Sequence, residues 1–143
     1  MTDADGTSGP LDTATLKILA QRAVSHPLVD GWAFRPDSIS PRQLELSIDA
    51  SQYPEQVVSV RLDVRWFEGG DYTFHYVESY ADHSRQCRWD RHPKPDDPRA
   101  HFHPLPDASA SVEPSEIDED HHLSVLFAVL EWLETRVEDL HDT

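Results

Sequence analysis

The chain has a single cysteine, Cys87, among 143 residues, so no intrachain disulfide can staple it. It has no apolar run approaching the roughly 20 residues a helix needs to cross a bilayer. No opening pattern of positive charge, apolar stretch and small residues marks a secretory leader. Glycine-rich phosphate loops, nucleophile elbows and paired CxxC cysteines are all missing. A soluble, cytoplasmic protein without membrane contact is the expectation. Cationic charge is also scarce: 12 Lys plus Arg, with Lys17 and Lys94 the two lysines, stand against 27 Asp plus Glu, a formal net charge of −15.

The length fits one domain with a single core. An acid-rich, lysine-poor surface suits molar salt, where the Debye length falls to roughly 3 Å and repulsion between carboxylates is screened. A halophilic source is the reading. Because 38% of residues are hydrophobic and fall in periodic runs, an acidic disordered chain is the poorer account. Charge is uneven along the sequence. Glu55 to His103 carries nine acidic and seven basic residues, the remainder eighteen against five, and five of the nine histidines fall in that middle stretch.

Met1 to Pro10 has no apolar periodicity and reads as a disordered tail, leaving 11–143 as one domain. Asp12 or Thr13 can cap a helix with Leu16, Leu19, Ala20 and Ala23 on its apolar face, ending before His26 because Pro27 follows. Strands are expected over Gly31 to Phe34, Gln43 to Asp49, Gln56 to Glu68, Tyr72 to Tyr80 and Arg85 to Trp89. In the third, Val58, Val60, Leu62, Val64 and Trp66 alternate with Ser59, Arg61, Asp63 and Arg65. The EGGD sequence supplies a hairpin. Prolines beyond Arg91 argue against regular structure until Ser115, after which Leu123, Leu126, Phe127, Leu130, Leu133, Val137 and Leu140 follow helical spacing. Acids from Glu116 to Asp120 are expected to complement the positive end of that helix. The sum is an α+β fold: an N-terminal helix, an antiparallel meander of about five strands, and a long C-terminal helix packed on one face.

The stretch Cys87 to Pro104, CRWDRHPKPDDPRAHFHP, is the part that packing explains least. Period-two geometry puts Arg61, Arg65, His75, Arg88 and Asp90 on the sheet's uncovered face, where pairing of opposite charges across a solvated sheet accounts for them equally well. His92, His101 and His103 follow in the proline-rich loop. Three imidazoles around a divalent ion would resemble a catalytic zinc arrangement, but no H-E-x-x-H spacing is present, and no metal or cofactor is assigned. Without metal, one histidine can take a ribose 2′-hydroxyl proton and a second can protonate the leaving oxygen, with Arg88, Arg91 or Arg99 stabilising the phosphorane. Trp66, Trp89, Trp132 and Cys87 read as core.

The segment QCRWDRHP, followed by HFHP and a closing amphipathic helix, resembles haloarchaeal relatives of the TumE-type toxins of toxin-antitoxin systems. Trp89, Asp90, His92, Pro93, His101 and His103 carry the likeness; Arg91 stands where asparagine commonly follows the aspartate. The resemblance implies a toxin neutralised by a small helix-turn-helix antitoxin. Together with the residues it gives an RNA-cleaving enzyme with His92, His101, His103, Asp90, Arg88 and Arg91 at its centre and Arg61, Arg65, His75 and Arg99 binding RNA. The alternative is a non-enzymatic protein-binding module of a halophilic cytoplasm.

Overall fold

A computed structural model describes residues 9–92, 100–108 and 112–142. The order is α1 (Thr13–Ala23), β1 (Val29–Arg35), β2 (Gln43–Ile48), β3 (Ser59–Trp66), β4 (Tyr72–Ser79), β5 (Ser84–Arg91), β6 (Ala100–His103), β7 (Glu113–Pro114) and α2 (His122–His141). The strands form one antiparallel sheet in sequence order, so every strand lies beside its chain neighbour. The α+β fold and both helices agree with the sequence; the meander is longer by β6 and β7. No helix among the described residues is long and apolar enough to cross a membrane.

Alternation decides which face each strand buries. Leu44, Leu46 and Ile48 of β2, Val60, Leu62, Val64 and Trp66 of β3, Tyr72, Phe74 and Tyr76 of β4, and Cys87 and Trp89 of β5 all lie in the core. Both helices cover this face. Leu16, Leu19, Ala20 and Ala23 of α1 meet Val125, Leu126, Val129, Leu130 and Leu133 of α2 in one cluster with the strands. Each fully buried leucine contributes about 1.5–3 kcal/mol, so the packing of α2 outweighs what its helix propensity supplies. Val58, expected on the same apolar face, lies outside β3 and is exposed.

Asp12 caps α1, its Oδ1 accepting from Thr15 N at 3.0 Å and its Oδ2 from Thr15 Oγ1 at 2.7 Å. Residues before that cap are already tied to the sheet: the Pro10 carbonyl accepts from Glu68 N at 2.9 Å, and Leu11 bridges to Phe67. The rest of the expected tail, 1–8, lies outside the described residues. At the other end, α2 starts at His122 with His121 as its cap, and its first turn holds no acid. Glu116 to Asp120 therefore precede the helix instead of forming its first turn, and Asp120 has a different task, described below.

The β3–β4 hairpin turns at Gly70, whose φ is +95°. A side chain there is strained, so Gly70→Ala is expected to lower stability by about 1–2 kcal/mol, read as a lower urea midpoint at unchanged slope.

Candidate functional site

On the sheet face opposite the helices, register lines up chemistry across the strands. One row runs Ala33, Glu45, Asp63, His75, Arg88, His103 from β1 to β6. The adjacent row includes Arg65, Thr73, Asp90 and His101, paired in that order from β3 to β6. Side chains of residues opposite one another share a face, so these groups converge because the hairpins set the register.

The correction that matters most concerns His101 and His103. They sit on β6, a regular strand, because Ala100 to His103 pairs with Arg88 to Arg91 despite the prolines on either side. His103 Nε2 lies 3.0 Å from Asp90 Oδ2, and Arg88 Nε donates to the same oxygen at 2.8 Å. Arg88 Nη2 stands 3.3 Å from the same His103 nitrogen. A neutral His103 that donates through Nε2 to Asp90 keeps a lone pair on Nδ1. Burial and then the Arg88 guanidinium hold its pKa below the usual 6.5, against the pull of Asp90. Two strands from His103, His75 Nε2 donates to Gln86 Oε1 at 2.6 Å, which fixes that ring and leaves Nδ1 without a partner among the described residues. Gln86 was not singled out from the sequence; its partner follows only from the β4–β5 register.

Beside Arg88, a pocket of about 210 Å³ is lined by Gln43, Asp63, Arg65, Thr73, His75 and Arg88. Arg61 donates to Asp63 Oδ2, on one of the lining residues, at 3.1 Å. Asp63 Oδ1 and Asp90 Oδ1 are buried without a hydrogen-bond partner among the described residues. His101 is buried opposite Asp90.

Two sequence-expected residues do not join this group, and a third lies outside the described residues. Arg91 points to the helix-covered side: its guanidinium lies 4.9 Å from the Tyr72 ring centre, pairs with Asp120 at 2.7 Å and donates through Nε to the Gly70 carbonyl at 3.1 Å. It ties the β3–β4 turn to the approach to α2, which is what its odd position beside Trp89 requires. His92 lies just past the end of β5 and is half-buried, with Nδ1 unpartnered among the described residues and no described contact to His101 or His103. Arg99 lies outside the described residues. Among the described residues, no three His, Cys, Asp or Glu are grouped so as to hold a metal ion.

The helix-covered side contains one polar network the sequence did not announce. Glu78, fully buried, accepts from Tyr76 Oη at 2.5 Å and Tyr80 Oη at 2.9 Å. It also accepts Arg136 Nε at 2.7 Å and Nη2 at 2.9 Å, a two-pronged bridge from β4 to α2. Cys87 is buried nearby, its thiol pKa pushed up chiefly by burial, which suits a packing role.

A family model described as Toxin TumE matches residues 16–137, from α1 almost to the end of α2. No curated protein and no solved structure matches the chain. With the match spanning both helices and the whole meander between them, the chain belongs to the TumE toxin family, the toxin component opposite an antitoxin partner.

Proposed function

We propose that this toxin cleaves RNA without a metal, at the row His75, Arg88, His103. The observation carrying this reading is that one arginine stands on the strand between two histidines, each ring held by a separate partner. Two strand spacings put the histidine backbones roughly 10 Å apart, room for a phosphodiester over Arg88. His103 Nδ1 takes the 2′-hydroxyl proton, O2′ attacks phosphorus, the P–O5′ bond breaks, and a protonated His75 gives its Nδ1 proton to the leaving O5′. Arg88 stabilises the phosphorane, Asp90 orients His103, and His101 adds positive charge when protonated. Arg65 binds a flanking phosphate in the pocket beside it, and Arg61 binds another on the same face. His92 and Arg91 are left out of the reaction.

A chain of net charge −15 repels RNA except at such a local patch, and repulsion is weakest in concentrated salt. The test is incubation of single-stranded RNA and its DNA counterpart with the purified protein in molar salt and excess EDTA. Fragments ending in 2′,3′-cyclic phosphate and 5′-hydroxyl, with DNA untouched, are expected. Intact RNA, or activity that EDTA abolishes, would rule the reading out and leave this face as a surface for holding a protein.

A further inference from the structure

A second site lies on the other side of the molecule, where α2 overlooks β5, β6 and β7. A cavity of about 460 Å³ opens there, and Trp89, Phe102 and Trp132 form its floor. The rings are in mutual contact: Trp89 lies 5.1 Å from Trp132 and 5.2 Å from Phe102, and Phe102 lies 6.4 Å from Trp132, centre to centre. Phe102 and Trp132 are only partly buried, so the helices leave aromatic surface open at this end of the core. Around it stand Glu113, Glu116, Glu119 and Glu131, all exposed. None of these four carboxylates has an ion-pair partner among the described residues.

An aromatic floor beneath uncompensated carboxylates excludes anions and gives neutral ligands no use for the rim. It matches a cation that is flat and weakly hydrated. A guanidinium stacks on aromatic rings and spreads five donors toward several carboxylates, whereas an ammonium is strongly hydrated and offers a point charge. We propose that this cavity receives an arginine side chain from the antitoxin partner. The inference rests on family membership and charge complementarity, not on RNA cleavage, since the cavity lies across the sheet from the histidine row. The overall negative field steers a basic segment toward the chain, and the cavity gives it one place to lodge.

The full chain, labelled at its tryptophan indole nitrogens, is titrated with N-acetyl-arginine N′-methylamide and followed by NMR, with the Trp132 signal assigned through its contacts to Tyr76 and Phe102. The neutral isostere, N-acetyl-citrulline N′-methylamide, and the lysine analogue are run in parallel. Saturable movement of the Trp132 signal is expected, with the arginine compound binding roughly ten-fold tighter than citrulline. The surface variant Glu116→Gln with Glu131→Gln is expected to bind it about five-fold more weakly at an unchanged circular dichroism spectrum. No movement, equal binding of citrulline or lysine, or unchanged binding by the variant would each overturn the proposal.

Discussion

Arg136→Met is expected to lower the unfolding free energy by about 3–5 kcal/mol, because it leaves the fully buried Glu78 carboxylate without its counter-charge. That is a large share of the roughly 5–15 kcal/mol by which a domain of this kind is stable. Two tyrosine hydroxyls remain on Glu78, and Tyr53 Oη lies 2.9 Å from Tyr76 Oη behind them, but neutral donors do not replace a guanidinium. Removing both charges, as Glu78→Gln with Arg136→Met, should recover part of the loss, since the pair's desolvation cost disappears with it. Urea titrations of the three proteins decide this; a single variant as stable as the wild type would show the bridge to be idle.

The same bridge sets a pH dependence. Burial alone would raise the Glu78 pKa, but the hydrogen bonds from Arg136, Tyr76 and Tyr80 outweigh it and hold the pKa below the ordinary 4.5. A depressed folded-state pKa means the stabilisation is complete above the unfolded value and drains away as pH falls through the folded one. The acid side of the stability curve should therefore flatten in the Arg136 variant.

His103→Ala is expected to slow RNA cleavage by about 10²–10⁴-fold, the range of a positioned acid or base. Growth arrest on expression should go with it, while the melting temperature moves little because Arg88 still donates to Asp90 once the ring is gone. His101→Ala combined with His103→Ala should be equally harmless to growth. Equal arrest by wild type and the double variant would sink the catalytic role of this strand. In the wild type, the acid limb of the rate should have its midpoint below pH 6.5, since burial and Arg88 keep His103 neutral to lower pH. An alanine at Arg88 should move that limb upward as well as slow the reaction.

What the sequence made readable was parity. Alternation in Ser59 to Trp66 and Tyr72 to Ser79 assigned Arg61, Arg65 and His75 to one face before any register was known. The same parity places Arg91 with Trp89 on the covered face, and only its nearness to Asp90 and His92 in sequence made it look like part of the site. Register was not readable, because it depends on hairpin geometry, and so Gln86 opposite Val77, one strand from His75, carried no signal. β6 was hidden for a different reason. Four residues between prolines have no detectable period, and Ala100 to His103 is a strand because β5 offers it an open edge. Glu78 and Arg136, 58 residues apart, meet only after the sheet and α2 have docked.

β6 pairs with β5 through four residues, and among the described residues what stands beyond it is a two-residue strand. Local opening there breaks few hydrogen bonds and exposes little apolar surface, whereas opening β3 or β4 dismantles the core. The half of the histidine row on β6 thus belongs to the least protected portion of the sheet. On the proposed RNA-cleaving role, peeling that margin from β5 would switch toxicity off while the remainder of the molecule stays folded, so the harm would be held on a shorter leash than the fold.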